Sequence, residues 1–541
     1  MERLKKILEF IRVQIKAYWK LSIIACTIIL ALFIWREVRI MTVRKKIASI
    51  NKEQTKTIPA TRGNIYDCNG NIIATNKEVH DIFIDCCVMT DPEMWKTFSR
   101  KLAQELAQIL PEKTAPQWWE DFQTARKRNN RYLPIIKGTT QEMIDSIMNS
   151  TLLKDRYKSG IIHIPRKVRE YPYGNIARRT IGSWNKGTDT YLFGIENSFH
   201  DKLSGEDGFV VSRYNYKKTL KKVIVNSAAM TNGYHVHTTL DMVKQSIADS
   251  VLRATVENHD EIAGGCLAVM EVKTGRIKAL VNMHKTDRGV VGEYLNYALD
   301  YAYEPGAVAR PIALAAALSD GVIKSVEDEI NIGEKYSGCE DYFYEWYKSL
   351  CINKQYFDIK EMRDIYLASS YRDDSNTVNA MCDGFEFTVC PMQLLVFYNT
   401  IANDGKMMRP MMIDSLVHDT YPTDSRFPFD LRERAIRKEV VDSLKKALTL
   451  NADGLIGKTG IAQMLLEPEA RDYKTSNPYI DTLGRKKYAI TFAGYYPQEK
   501  AQYSVICALF TKPTYNQPSQ SHLPTDVVKI FTKELLCDLK P

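Results

Sequence analysis

The sequence predicts an α+β fold built around an antiparallel sheet, and three observations carry that expectation. Residues 266–272 read Cys-Leu-Ala-Val-Met-Glu-Val, Lys273-Thr274-Gly275-Arg276 makes a turn and residues 277–282 return, which is a β-hairpin. Residues 455–466, 488–496 and 502–511 alternate like strands, and their separations suit antiparallel neighbours. Between these strand groups lie an alanine-rich helix over 307–318, stopped by Gly321, and a stretch over 354–403 that reads mainly helical.

Taken from the N-terminus, the 541 residues divide by composition. The chain is 45% hydrophobic and 26% charged, which is ordinary globular material, and its length suggests two to four domains. Residues 1–17 form a short basic tail. Residues 18–36 hold the apolar run Leu21 to Trp35, with Tyr18, Trp19 and Trp35 suited to membrane interfaces and Lys20 able to snorkel. A single membrane anchor is expected there rather than a cleaved signal peptide, because no small-x-small site follows. Both flanks are basic, so charge does not set its orientation. Residues 37–56 read as a polar, basic and helical stalk. Residues 1–56 hold 13 Lys and Arg against four acids, which accounts for the whole formal charge of +9. The remaining chain is formally neutral, and nucleic acid is not expected as a partner.

Residues 57–255 mix short strands and helices. Ile65-Tyr66-Asp67, Asn69-Gly70 and Ile72-Ile73-Ala74 read as strand, turn and strand. A short amphipathic helix is expected over 142–148, and another near Val243 capped by Thr239 or Asp241. Residues 256–541 form the last domain. The eleven cysteines contain no Cys-x-x-Cys and the nine histidines no ligand-like cluster, so no metal or other cofactor is expected. Cys339 and Cys351 flank an aromatic-rich stretch and could pair in an oxidising compartment; most of the others read as buried thiols acting as small hydrophobes. The aromatic residues from Tyr336 to Tyr347 read as core or loop packing, with a docking patch as the lesser alternative.

The chemistry concentrates in three segments. Residues 304–310 read Glu-Pro-Gly-Ala-Val-Ala-Arg, residues 374–376 Asp-Ser-Asn and residues 458–460 Lys-Thr-Gly. Together with Arg62-Gly63-Asn64-Ile65-Tyr66-Asp67, Tyr171-Pro172-Tyr173-Gly174, Gly194-Ile195-Glu196, Leu203-x-Gly205-x-Asp207-Gly208, Thr274-Gly275 and Pro391-Met392-Gln393, they occur in the order found in the class B penicillin-binding proteins. The chain resembles that family from about residue 58 to 512. The resemblance implies an elongated pedestal domain over 57–255, of the dimerisation type, and a transpeptidase-like domain over 256–541.

In that family the first motif is Ser-x-x-Lys, in which the lysine helps deprotonate a serine that forms an acyl-enzyme. Here Ala307 stands at the serine position and Arg310 at the lysine position. An alanine methyl cannot attack, and a guanidinium with a pKa above about 12 is a poor base at pH 7. At the second motif, Ser-x-Asn, Asn376 is retained and Asp374 replaces the serine. The third motif is intact as Lys458, Thr459 and Gly460, which the resemblance implies bind a substrate carboxylate; Ile461 follows where a small hydroxyl residue is preferred. Arg310 and Asp374 are expected to form a buried ion pair across the site. The resemblance thus implies a catalytically inactive scaffold or regulator of peptidoglycan synthesis or cell division, on the bacterial cytoplasmic membrane with its bulk outside. Its partners would be a polytopic membrane glycan polymerase or other wall-synthesis proteins, with the peptidoglycan stem peptide as a ligand. The alternatives are an active D,D-transpeptidase using another nucleophile and a non-covalent sensor of muropeptide or β-lactam.

Overall fold

The computed structural model describes residues 2–50, 53–150, 152–153, 159–184, 193–215, 221–328, 331–336, 338–351, 354–361, 366–367, 376–450, 454–467, 470–472 and 477–538. The chain forms two compact units: Met1–Thr61 with Gly205–Asn232, and Arg62–Ser204 with Gly233–Pro541.

The first unit opens with one long helix, Glu2–Ile50. Ile28, Ile29, Leu30, Phe33 and Trp35 along it are more than half exposed. The expected anchor over 18–36 lies in this helix, although some of its side chains fall outside the described set. Among the described residues, no helix is long and apolar enough to cross a membrane. The expected helical stalk over 37–56 is helical as far as Ile50 and is corrected beyond it, where Glu53–Ile58 is a strand. Its Glu-Gln-Thr-Lys-Thr-Ile sequence places β-branched residues at alternate positions, and it pairs antiparallel with Gly208–Asn215, which pairs in turn with Lys221–Ala228. Asp207 explains its place in the sequence motif, since its carboxylate accepts the Ala60 amide at 2.7 Å.

In the second unit the Asn-Gly turn forms as expected. Asp67 Oδ1 accepts the amides of Asn69 and Asn71 at 2.8 and 2.7 Å, and strands Ile65–Tyr66 and Ile72–Ile84 pair antiparallel on either side. The distant motifs Arg62-Gly63 and Gly194-Ile195-Glu196 meet through a buried carboxylate. Arg62 Nε donates to Glu196 Oε2 at 2.8 Å, Arg169 Nε donates to Oε1 at 2.8 Å, and Arg169 Nη1 reaches the Gly63 carbonyl at 2.8 Å. All three charged side chains are buried. Burial lowers the Arg62 pKa, and Glu196 opposes that shift.

The central sheet has seven strands, all antiparallel. Their order is Val291–Gly292, Ile277–Lys285, Ile262–Glu271, Tyr503–Thr511, Tyr488–Tyr496, Ile456–Gln463 and Thr449–Leu450. Both faces are buried. Cys266, Ala268 and Met270 join Ile506 and Ala508 in one core, with helices Arg310–Ser319 and Pro391–Ala402. Leu267, Val269, Val505 and Leu509 point into the other, with helices Met242–Asn258 and Leu523–Asp538. The first helix of that second core is capped by Asp241, whose Oδ1 accepts the Val243 amide at 3.1 Å. Helix Arg310–Ser319 is buried along most of its length, as expected of a segment between sheet and helices.

One further expectation changes, one possibility is not realised, and the reading of the aromatic stretch as packing holds. Residues 354–403 are mixed rather than mainly helical: short strands Tyr366–Leu367 and Phe387–Thr388 pair around helix Asn376–Cys382, while residues 362–365 and 368–375 lie outside the described set. The possible Cys339–Cys351 bridge does not form, and both thiols are free. They flank the 11-residue helix Glu340–Leu350, whose length of roughly 16 Å far exceeds the ~7 Å Cα limit of a disulfide. The aromatic cluster is core, with Phe343 and Tyr347 fully buried.

Replacing Glu196 by Gln is expected to cost about 3–5 kcal/mol in chemical denaturation, because two buried guanidinium groups lose their counter-charge. Lys77→Ala, which breaks only the exposed pair with Glu170, should change stability by less than about 1 kcal/mol. Equal effects would show that the buried carboxylate does not organise this region.

Candidate functional site

The first motif opens with a single 3-10 turn, Gly306–Ala309, and the α-helix starts only at Arg310. Gly306 adopts φ +61 and donates its amide to the Gly384 carbonyl at 2.9 Å; Gly384 itself has φ +87. On the other side, the Val308 carbonyl accepts the buried Tyr398 hydroxyl at 2.8 Å. Ala307 is half-buried within this clamp.

The third-motif strand, Ile456–Gln463, pairs along its length with Tyr488–Tyr496 and lies against the 3-10 turn. Gly460 makes the approach possible, since a Cβ there would stand 2.8 Å from Val308 Cγ2 and 2.9 Å from the Val308 amide nitrogen. Ala307 and the Lys458-Thr459-Gly460 segment are therefore brought together, as the family resemblance implied. Thr459 is exposed and Lys458 half-buried. Among the described residues, no carboxylate lies within ion-pairing distance of Lys458. Ile461 packs partly onto the second core and lines a groove with Phe385, Tyr479 and Tyr488, an apolar rim where a hydroxyl was preferred.

The second motif is described only in part. Asn376 begins helix Asn376–Cys382, but its side chain, Asp374 and Ser375 lie outside the described residues. The expected Arg310–Asp374 pair falls outside the described residues; among those described, Arg310 Nε and Nη2 each lie 3.0 Å from Asp383 Oδ1. The reason is positional. Asp383 directly precedes Gly384, whose carbonyl holds Gly306, so the backbone tether delivers Asp383 beside Arg310. Both side chains are slightly more than half exposed, at 53% and 55%. The pair is therefore worth about 0.2–1 kcal/mol, far below the value expected of a buried one.

Sequence reasoning missed Glu304, which lies three residues before Ala307. Its carboxyl is 1% exposed, accepting the Tyr479 hydroxyl at 2.8 Å and the Glu386 amide at 2.9 Å. Burial pushes it up to about 7, only partly opposed by those two donors. An acid beside Pro-Gly was the available signal; its burial was not legible. Asp383 was signalled by the Asp-Gly dipeptide closing a helical run.

Comparison with known proteins places this geometry. Residues 57–238 match the penicillin-binding protein dimerisation domain, and residues 265–362 and 339–529 match the penicillin-binding protein transpeptidase domain. The chain belongs to the class B penicillin-binding proteins. Among its relatives, the probable peptidoglycan D,D-transpeptidase PenA of Neisseria meningitidis is 26% identical over 50% of this chain and 44% of its own length. The peptidoglycan D,D-transpeptidase FtsI of Buchnera aphidicola is 25% identical over 55% and 52%. The chain thus spans about half the length of these curated penicillin-binding relatives. Penicillin Binding Protein 2X from Streptococcus thermophilus shares the fold, with a TM-score of 0.65 at 18% identity over 90% of this chain and 80% of that one. A peptidoglycan synthetase from Bifidobacterium adolescentis does so with a TM-score of 0.62 at 18% identity, over 91% and 97%.

The raised Glu304 carboxyl gives a pH prediction. Its folded-state pKa lies above the unfolded value, so its contribution to stability is complete below about pH 4.5 and lost as pH rises through about 7. Glu304→Gln should therefore gain stability relative to the parent between these pH values, by about 1–3 kcal/mol in urea titrations. A pH-independent difference between the two proteins would rule out the buried titration.

Proposed function

We propose that this chain is a penicillin-binding protein that does not acylate and that serves a bacterial wall-synthesis complex as a scaffold or regulator. The observation that carries the reading is the methyl group of Ala307 at the position clamped between Gly384 and the third-motif strand. A serine there would have an arginine, not a lysine, three residues on at position 310. A guanidinium is a poor general base, and that of Arg310 is engaged by Asp383. The remaining frame, with its buried sheet and backbone clamps, supplies a stable surface without supplying a nucleophile. Its partner would be a polytopic membrane glycan polymerase or another wall-synthesis protein. The exposed apolar side chains of helix Glu2–Ile50 support a single-pass anchor; the placement of the bulk of the chain outside the cytoplasmic membrane rests on the family resemblance alone.

A second reading, non-covalent binding of the stem-peptide carboxylate, is favoured by Lys458 and Thr459. Lys458 is free of a counter-ion among the described residues, and Thr459 is exposed.

Incubation with a fluorescent penicillin followed by denaturing electrophoresis tests the main reading. No covalent band is expected from this chain, and a robust band would refute the proposal. Ala307→Ser alone should restore little labelling, because general-base assistance worth about 10²–10⁴-fold is still missing. Ala307→Ser with Arg310→Lys should label more strongly than the single variant.

The anchor is tested by fractionation. Deleting residues 1–36 should move the protein from the membrane fraction to the soluble one, and retention on membranes would place the attachment elsewhere.

A further inference from the structure

We propose that residues 2–16, the first turns of helix Glu2–Ile50, dock along an anionic lipid surface as a basic amphipathic segment, giving the chain a second membrane contact beside its anchor. Leu4, Ile7, Leu8 and Ile11 recur at helical spacing and fall within an arc of about 100° on one side of the helix. They are 69%, 56%, 60% and 46% exposed, so no described part of the chain covers them. Lys5, Lys6 and Arg12 lie on the remaining arc with Glu2 and Glu9, and Val13 is the apolar residue that interrupts it. Among the described residues, none of Arg3, Lys5, Lys6 and Arg12 takes part in an ion pair.

Charge selects the occupant of the stripe. Residues 2–16 hold Arg3, Lys5, Lys6, Arg12 and Lys16 against Glu2 and Glu9, which is 5 − 2 = +3. A second copy of the chain laid on the stripe would bring two such segments together, and they would repel. A purely apolar groove would leave the cations unanswered. An anionic bilayer surface answers both faces at once, since the acyl boundary takes the stripe and the headgroup phosphates take the Lys and Arg side chains.

Position along the chain points the same way. The segment leads into Tyr18, Trp19 and Lys20, interfacial residues at the start of the expected anchor. An inserted anchor holds the segment at the headgroup layer, and this placement rests on the anchor reading of the preceding subsection. The helix is continuous through these residues, so docking bends it between residues 16 and 20, toward the plane of the membrane.

Hydrogen–deuterium exchange of the full chain tests this, in nanodiscs of phosphatidylcholine alone and of an equal mixture of phosphatidylcholine and phosphatidylglycerol. Amides of residues 2–16 are expected to exchange at least about tenfold more slowly in the anionic discs, since each basic residue near such a surface contributes roughly fivefold. Salt at about 0.5 M should remove most of that difference. Replacing Lys5, Lys6 and Arg12 together by Gln should return exchange to the rate in neutral discs, as should Leu8→Glu. Val13→Ala, on the charged side, should leave the slowing unchanged. Residues 21–35 report the anchor separately, with protection expected there in both lipids. Loss of that protection while residues 2–16 still respond to anionic lipid would sink the anchor and support the docking. Equal exchange of residues 2–16 in the two lipids, with residues 21–35 protected in both, would overturn the proposal. So would a slowing that appears in neutral discs and grows with protein concentration, as pairing with a second copy would give.

Discussion

Gly460 lies so close to the first-motif turn that a Cβ on it would press on both the side chain and the amide of Val308. The architecture of the site depends on that approach. The strand edge fixes one side of the Gly306–Ala309 turn, the Gly384 carbonyl fixes the other, and Tyr398 reaches the turn from the buried helix Pro391–Ala402. Each of these contacts ends on backbone atoms of the turn or on the small Val308 side chain. None needs an oxygen at position 307 or an ammonium at position 310. The frame of an acyl-transfer site can therefore stand with Ala307 and Arg310 in place, because its stability resides in glycine conformations and backbone hydrogen bonds.

Charge is distributed in two regimes. Glu196 is enclosed by Arg62 and Arg169 away from water, and each partner's desolvation is offset only while the others are present. Arg310 and Asp383 sit at comparable distances but in solvent, where screening and side-chain entropy leave little net stabilisation. The buried group organises structure, whereas the exposed pair can exchange partners at small cost. Glu304 lies between these regimes: it is buried like Glu196 but has neutral donors in place of counter-ions, and its carboxyl is accordingly displaced toward neutrality.

The two-sided burial of the central sheet explains why its helices differ in sequence character. Every residue of Pro391–Ala402 is buried, so it carries no solvent-facing polar stripe, and its polar side chains Gln393, Asn399 and Thr400 are hydrogen-bonded inside. Arg310–Ser319 is rich in alanine because small side chains let a helix sit close to its neighbours; Arg310 is exposed through its long charged side chain, while Leu314 and Ser319 are half-buried.

By itself the sequence determined the strands expected near 266–282, 455–466, 488–496 and 502–511, the Asn69-Gly70 turn, and a helix near Val243 capped by Thr239 or Asp241, of which the structure uses Asp241. These features are local: alternation, turn chemistry and capping are set by residues a few positions apart. Tertiary structure alone decided that Arg310 meets Asp383, 73 residues away, that Glu304 is buried against Tyr479, and that Glu53–Ile58 joins a sheet instead of extending a helix. It also separated Cys339 from Cys351 by inserting a helix between them. A side chain's ion-pair partner and its access to water depend on the path of chain segments distant in sequence, and no local pattern encodes that path.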